Sequence, residues 1–394
     1  MGKGRWASSQ STARAHAHLT RHCSGRAGPR RSALCVSHCD RAIHVLEFDM
    51  PETEATAWVP FRIFPLDLHV PNNLYECLVD FSTGLTFALT RLYPFVAETE
   101  ARVTRPSRAI ARQLFLLNPE SRWGLDSYEF VQVRCSLIYD KESIQSMNVN
   151  RPMADDEIAR LAASELSSVL EEALVLAQLA YPALIASRTG LVWLGRYLVA
   201  TISEVFGFMQ DAVYPDIPAW PAVGVLPITE VCDWVSRLGL LRRGIARTPV
   251  ERALASFTHA AVLPGIHNDE LLFRVMQGLE AFYCRGNGDL RSQLSEKSKL
   301  FLGPWKDTKN IVGRLYDIRS KVVHGDFDQR WRNFDLELGS RDEKNDEVFT
   351  SALGLAVRML LATLQRCARE KIVGVEFNYS LSIATANNSM EPTR

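Results

Sequence analysis

Arg319 and His324 are the two residues of this 394-residue chain whose types and spacing suit a defined chemistry. Histidine titrates near neutral pH, so its imidazole can accept and return a proton under physiological conditions. Arginine remains charged and offers a planar fork of N–H donors that fits a phosphate group. A histidine that acts on a 2′-hydroxyl or a leaving oxygen, with an arginine that holds the phosphate, could cleave RNA without a metal ion.

Both residues belong to one predicted helix over residues 309–325, KNIVGRLYDIRSKVVHG. Apolar residues recur there at spacings of three and four, which predicts one buried face: Val312, Leu315, Ile318 and Val322. Gly325 follows the last of them, where a left-handed C-terminal cap favours glycine. Five residue steps at about 100° place Arg319 and His324 roughly 140° apart on a regular helix. Ser320 lies four residues before His324, so it could orient the ring or contact RNA.

The spacing alone is weak evidence for a site. An arginine followed by a histidine, with four to six residues between them, occurs at three further places: Arg31 to His38, Arg62 to His69 and Arg252 to His259. Two structural interpretations therefore stay open. Arg319 could be a surface residue paired with Asp317 or Asp326, and His324 could simply be a helix-terminal residue that the helix dipole favours when it is protonated.

The sequence around the pair, LYDIRSKVVHGD, resembles the signature of the HEPN superfamily, and specifically that of Apea-like HEPN domains. Two further helices of that pattern precede it in the expected order, RVMQGLEAFYC at 274–284 and DLRSQLSEKSKLFL at 289–302. The resemblance covers about residues 248–371. It implies a helical bundle that dimerises, and a metal-independent RNase activity in which His324 is the general acid/base and Arg319 binds phosphate.

Two departures keep a second function open. Many active HEPN nucleases carry Asn, Asp or His directly after the arginine, whereas this chain has Ser320. Other HEPN domains serve as non-catalytic dimerisation or RNA- and nucleotide-binding modules. Residues 248–371 hold 19 basic and 17 acidic residues, a smaller basic surplus than nucleic-acid-binding domains usually show.

Glu280 is a candidate supporting residue, because it lies at the margin of an apolar helical face that ends near Tyr283. In the HEPN arrangement this helix packs beside the motif helix. Glu280 could therefore hydrogen-bond Arg319 and hold its guanidinium group in place. The alternative is a half-exposed glutamate near a helix end.

Length and composition predict a globular protein with a sizeable core, since 47% of the residues are hydrophobic and 23% are charged. The predicted fold class is an α+β N-terminal region followed by an all-α HEPN-like helical bundle. The segments are a disordered basic leader at 1–42, a mixed α/β region of unknown role at 43–247, the HEPN-like domain at 248–371, and a C-terminal strand or tail at 372–394.

The leader carries eight basic residues against Asp40 alone, a net charge of +7 in a chain of net charge zero. A basic tail could bind nucleic acid, and an Arg-rich start resembles a transit peptide; a translation start placed too far upstream is the interpretation we favour. Cys23, Cys35, His38 and Cys39 have poor spacing for a zinc site. The other cysteines lie mostly in apolar sequence, which indicates reduced, buried thiols.

Within residues 43–247, β-branched and aromatic residues predict strands at 57–65 and 129–139. Helices are predicted at 74–94, 105–117 and 154–188, with Pro182 ending or kinking the last. Apolar composition predicts that 189–209 is buried. Arg105, Arg108 and Arg112 form a small basic face of the second helix, which we interpret as solvated. Glu171 and Glu172 are adjacent and therefore point about 100° apart, so we expect them to face solvent.

No run of about 18 uncharged apolar residues occurs in the chain, so no membrane span is predicted. We expect a cytoplasmic homodimer with RNA as its partner and no cofactor or metal. The family resemblance also implies a toxin or phage-defence setting, with an antitoxin or regulatory partner.

Overall fold

The computed structural model describes the following residues: 52–63, 74–93, 96–117, 128–139, 141–147, 151–182, 185–205, 220–262, 268–286, 288–305, 310–327 and 343–377. The predicted leader and its four candidate zinc ligands lie outside these residues. The described chain is mixed α/β, with an antiparallel sheet in its first half and a mostly helical second half.

The sheet has six strands: β1 (Glu52–Ile63), β2 (Val96–Val103), β3 (Glu129–Ile138), β4 (Ile185–Ser187), β5 (Gly190–Leu194) and β6 (Tyr197–Ile202). Its order is β2-β3-β1-β5-β6, and β4 pairs with the end of β1. Strand β1 is central, because Trp58 lies opposite Gln132 of β3 on one side and Leu191 of β5 on the other. The strands predicted at 57–65 and 129–139 correspond to β1, which begins five residues earlier than predicted, and to β3.

Eleven helices occur in the described residues: α1 (Leu74–Leu92), α2 (Arg108–Leu117), α3 (Lys141–Met147), α4 (Asp155–Ala180), α5 (Ile228–Leu238), α6 (Leu240–Arg243), α7 (Pro249–Val262), α8 (Asn268–Tyr283), α9 (Leu290–Leu302), α10 (Ile311–His324) and α11 (Glu343–Arg369). The predicted helices at 74–94, 105–117 and 154–188 correspond to α1, α2 and α4. Helix α4 ends at Ala180, two residues before Pro182, which cannot continue the helix.

The two faces of the sheet bury different helices, because successive side chains along a strand point to opposite sides. Ala55, Ala57, Val59 and Phe61 of β1 lie in the main core with α1 and α4. The Phe61 and Phe81 rings meet edge to face with centroids 5.2 Å apart. On the opposite face, Trp58 packs in a smaller cluster with Leu114 of α2.

Residues 249–369 contain only helices wherever the structure describes them. Helix α7 begins at Pro249, and Thr248 caps it. Its Oγ1 accepts a hydrogen bond from Glu251 N at 3.2 Å, while the Glu251 carboxylate accepts one from Thr248 N at 3.1 Å. Gly278 of α8 sits where α7 and α11 approach closely: an added Cβ would lie 3.1 Å from Ser256 Cβ and 3.2 Å from Leu360.

The core continues across residue 248, where the sequence predicts a segment boundary. One apolar cluster runs from Ala55 to Ala368 and includes α4, α5, α7 and α11. Gln365 of α11 donates hydrogen bonds to the carbonyls of Leu179 at 2.9 Å and Gly224 at 2.6 Å. The assignment of 248–371 as a domain of its own therefore stays a prediction. Residues 372–377 follow α11 without forming a strand, and the rest of the C-terminal strand or tail predicted at 372–394 lies outside the described residues.

Two expectations about the region before residue 248 were wrong. The predicted buried stretch at 189–209 includes a β5–β6 hairpin whose second strand exposes Tyr197 and Leu198, because β6 lies at the edge of the sheet. Glu171 and Glu172 do not simply face solvent. Glu171 Oε1 accepts a hydrogen bond from Ser203 N at 2.6 Å, and Glu172 Oε2 accepts one from Tyr93 Oη at 2.5 Å.

Helix α11 contains one stretch, Glu347–Arg369, that is long and apolar enough to cross a membrane by length and composition. However, 72% of its most apolar window is buried inside the protein. It contacts α4, α5, α7, α8, α9 and α10, so its apolar residues serve the core of the fold.

Candidate functional site

Helix α10 carries the motif, and both of its ends are fixed by local sequence. At its start, Asn310 Oδ1 accepts a hydrogen bond from Gly313 N at 2.8 Å. An added Cβ on Gly313 would lie only 2.6 Å from the Asn310 amide nitrogen, so the cap needs glycine there. At its end, Gly325 adopts φ 76°, and Asp326 N donates to Lys321 O at 2.8 Å. The predicted helix with a glycine cap is thus confirmed, with bounds Ile311–His324.

The predicted apolar face of α10 anchors this helix to the core. Val312 and Leu315 are buried, while Ile318 and Val322 are partly buried and pack against the main cluster. A groove of about 300 Å³ runs between α10 and α11 beneath this face. Its lining includes Ile311, Leu315 and Ile318 of α10 with Val348 and Leu355 of α11.

Arg319 and Glu280 meet between α10 and α8, which is the contact that the family resemblance suggested, and not the alternative of a half-exposed glutamate. Arg319 Nη2 donates a hydrogen bond to Glu280 Oε2 at 3.1 Å and lies equally close to Oε1. The two side chains are 20% and 19% exposed. Burial raises the pKa of Glu280, and the adjacent guanidinium group opposes that rise. Nε of Arg319 is buried and makes no hydrogen bond to the described residues.

Tyr316 completes the surroundings of Arg319, one turn earlier on the same helix. The Arg319 Cζ atom lies 5.7 Å from the centre of the Tyr316 ring, within cation–π range. Partial burial raises the pKa of Tyr316. Tyr316 was not predicted as part of the site, although its i,i+3 spacing from Arg319 could have indicated the contact. The guanidinium group is therefore held from two sides, by a carboxylate and by an aromatic ring.

His324 lies elsewhere on the helix. It is the last residue of α10 and is exposed, and Ser320, four residues earlier, is half-buried. No hydrogen bond links His324 to Arg319, Ser320 or any other described residue. On a regular helix the Arg319 and His324 side chains point roughly 140° apart. The structure therefore brings Arg319 and Glu280 together but does not bring His324 to Arg319 within one chain.

The alternative partner considered for Arg319, Asp317, is engaged with another residue. Asp317 Oδ2 accepts a hydrogen bond from Arg291 of α9 at 3.0 Å. This pair is about half exposed on both sides, so solvent screens it far more than the Arg319–Glu280 pair. Arg319 is consequently not the surface residue paired with a neighbour on its own helix that the simpler interpretation required.

The described residues contain no group of three or more histidine, cysteine or acidic side chains that could hold a metal ion. Cys135, Cys232, Cys284 and Cys367 are free thiols. Burial raises the pKa of Cys284, nearest to the site, to about 11, so this thiol stays protonated near neutral pH.

A scan of the chain against models of known protein families finds no match, and no curated protein or solved structure matches it significantly. The resemblance of residues 248–371 to Apea-like HEPN domains stays a hypothesis carried by the motif in α10 and by the order of α8, α9 and α10.

Proposed function

We propose that this chain is a metal-independent endoribonuclease with an Apea-like HEPN domain, in which Arg319 binds the scissile phosphate and His324 transfers protons. The observation that carries the proposal is the clamped guanidinium group of Arg319, on the same helix whose last residue is an exposed histidine. A cation that is already fixed before the reaction starts lowers the barrier to phosphoryl transfer, because it stabilises the charge of the transition state without having to reorganise.

The proposed reaction uses the RNA's own 2′-hydroxyl as the nucleophile. His324 removes the 2′ proton, the 2′-oxygen bonds to phosphorus, and the bond from phosphorus to the 5′-oxygen breaks. The protonated His324 then gives this proton to the departing 5′-oxygen, so the products are a 2′,3′-cyclic phosphate and a free 5′-hydroxyl, and the imidazole is neutral again. Arg319 stabilises the charge that accumulates on the non-bridging oxygens. An imidazole suits the proton transfer because it titrates near the working pH.

Glu280 and Tyr316 act as positioning residues in this proposal. Glu280 accepts its hydrogen bond from Nη2 of Arg319 and Nε is buried, so Nη1 is the nitrogen of the fork left for a phosphate. The Tyr316 ring restricts the rotation of the guanidinium group from the side. Ser320 shares the side of the helix that His324 occupies, so its hydroxyl can orient the imidazole or contact the RNA.

A homodimer is part of the proposal, for a geometric reason. Within one chain Arg319 faces α8 while His324 is exposed at the helix end, so one active centre is completed by the partner subunit's His324. Two-fold symmetry then produces two equivalent centres in a shared cleft. Light scattering on the chain lacking residues 1–42 tests this assembly, and a strict monomer at tens of micromolar protein would count against it.

RNA cleavage in EDTA tests the reaction. His324→Ala should lower the rate by roughly 10²- to 10⁴-fold by removing the proton carrier. Arg319→Ala should lower it comparably, and Arg319→Lys should restore only part of it because the planar fork is lost. The controls are Arg252→Ala and His259→Ala, two exposed residues of α7 with a similar spacing. Equal activity in wild type and His324→Ala, or activity that EDTA abolishes, would contradict the mechanism.

The second candidate is a non-catalytic HEPN module that dimerises or binds RNA or nucleotide. One observation favours it: Arg319 is largely buried in its pair with Glu280 and is separated from His324 by roughly 140° of helix. Absence of cleavage in the wild-type protein, with RNA binding retained, would select this function. In either case we propose a cytoplasmic protein of a toxin or phage-defence system, and a neighbouring antitoxin or defence gene would support the nuclease.

A further inference from the structure

Every acidic or basic residue in α2 and in the segment that leads into it is an arginine. Residues 101–117 contain four arginines and no aspartate or glutamate: Arg102, Arg105, Arg108 and Arg112. All four are exposed. Arg108 and Arg112 lie one turn apart on α2, away from the buried Leu114, and neither forms an ion pair with a described residue. Arg102 donates a hydrogen bond to Gln132 Oε1 at 3.3 Å and lies 3.9 Å from Glu100, whereas Arg108 and Arg112 make no side-chain hydrogen bond or ion pair among the described residues.

The sheet face beneath α2 places a further arginine and an indole in one row. Thr56 of β1 lies opposite Arg134 of β3 on one side and Trp193 of β5 on the other, so the three side chains point to the same face. Arg134 is exposed, and Trp193 is half-buried against the cluster that holds α2. Two strand spacings separate Arg134 from Trp193, or roughly 10 Å. Arg134 forms no ion pair among the described residues.

We propose that this surface, defined by Arg108, Arg112, Arg134 and Trp193, binds single-stranded RNA. The arginines contact separate phosphates, and a base stacks on the indole. A flat aromatic side chain next to spaced cations is the combination with which proteins hold single strands without reading sequence. The surface lies on the side of the sheet opposite α1 and α4, whereas α4 contacts the helices of the second half. It is therefore separate from the Arg319 site, and the inference does not require that RNA is cleaved.

The acidic residues nearby favour an RNA strand over a membrane surface. Glu100 lies directly opposite Arg134, and Glu129 lies 3.8 Å from Arg105. Positive charge is therefore present at separated points rather than as one continuous patch. Separated points suit the discrete phosphates of a strand, whereas an anionic bilayer attracts a uniform basic face. The exposed Phe115, Leu116 and Leu117 at the end of α2 make membrane binding the competing outcome.

The test measures binding of a fluorescent 20-nucleotide oligouridine by anisotropy over a range of salt. The full-length His324→Ala protein is used so that the RNA stays intact. The triple variant Arg108→Ala, Arg112→Ala, Arg134→Ala should bind roughly 10- to 100-fold more weakly. The slope of log K against log salt concentration should also become shallower by about 2, since each phosphate contact on a single strand contributes about 0.7. Trp193→Leu should weaken binding with little change in slope.

The matched control removes three exposed arginines elsewhere, Arg151, Arg160 and Arg252, with the same change in net charge. Circular dichroism confirms that each variant is folded. Equal loss of RNA affinity in both triple variants would overturn the proposal, as would binding of phosphatidylserine vesicles, but not of RNA, that depends on Arg108 and Arg112. RNA binding that requires these arginines in a protein without nuclease activity would support this surface while refuting the proposed reaction.

Discussion

Glu280 and Arg319 join helices α8 and α10 through a hydrogen bond of 3.1 Å, although 39 residues separate them in the chain. Both side chains are about four-fifths buried, so water competes weakly for the pair. The carboxylate fixes where the guanidinium group points, and the Tyr316 ring limits its rotation. A cation held this way is either ready for a phosphate or serves to fasten two helices together, and the two roles respond differently to mutation.

Arg319→Ala should destabilise the protein by roughly 1–3 kcal/mol, because it leaves the Glu280 carboxylate largely buried without its cation. Chemical denaturation provides the measurement. Arg291→Ala is the matched control, since its pair with Asp317 is about half exposed on both sides, and it should change stability by no more than about 1 kcal/mol. Equal losses of stability in the two variants would show that the Glu280–Arg319 pair stabilises the fold no more than the exposed Arg291–Asp317 pair does.

His324→Ala should change the free energy of unfolding by less than about 0.5 kcal/mol, because the side chain is exposed at the last residue of α10 and makes no described hydrogen bond. This result would separate a chemical role from a structural one when RNA cleavage is compared between variants. A large loss of stability would instead mean that His324 contributes to the fold, and its cleavage data could not be assigned to proton transfer.

Gly325→Ala should destabilise the chain by roughly 1 kcal/mol, because residue 325 has φ 76°, a conformation in which a Cβ is strained. The matched control is Gly224→Ala, where φ is not in the left-handed region and an added Cβ meets nothing within 4 Å. Thermal unfolding of both variants checks this prediction. If Gly325→Ala also lowers the rate of cleavage, the cap positions the adjacent His324.

Local patterns predicted much of this site. The spacing of Val312, Leu315, Ile318 and Val322 with the terminal Gly325 predicted α10, because a helix and its cap depend on residues within one or two turns. The Glu280–Arg319 contact required knowledge of which helices are neighbours, and that came from the family resemblance. Tyr316 was missed, although it lies only three residues from Arg319, because an aromatic residue at helical spacing is usually part of the core.

Contacts between distant parts of the chain could not be predicted. Glu171 and Glu172 look like solvent-facing charge, yet their partners are Ser203 and Tyr93, which are 32 and 79 residues away. The position of β6 at the edge of the sheet could not be predicted for a similar reason. The run around Tyr197 is mostly apolar although Arg196 interrupts it, and composition alone does not reveal which strand of a sheet has no outer neighbour.

The Glu172 carboxyl should make stability depend on pH. Burial raises the pKa of Glu172 above its ordinary value near 4, and the Tyr93 hydrogen bond opposes only part of the rise. The folded state therefore binds the Glu172 proton more tightly than the unfolded state does. The stability that this tighter binding contributes is complete below pH about 4 and is lost as pH rises through the folded pKa. Relative to wild type, Glu172→Gln should gain stability between pH 4 and 7. Chemical denaturation of wild type and Glu172→Gln across this pH range provides the measurement. Glu165→Gln, at an exposed residue of α4, is the control for losing a carboxylate that is not buried.

A fragment of residues 248–377 should not fold stably without the preceding chain, although it contains the whole resemblance to HEPN domains. In the full chain α4 and α5 pack against α11. Gln365 donates hydrogen bonds to two carbonyls before residue 248 and accepts one from Gly224 N, and Trp234 Nε1 of α5 donates to Ile372 O at 2.7 Å. Removing those partners exposes apolar surface and leaves the buried Gln365 amide unsatisfied. Near-UV circular dichroism and the dispersion of amide signals provide the measurement. A cooperative unfolding transition with dispersed signals in the isolated fragment would instead establish residues 248–377 as a domain of its own.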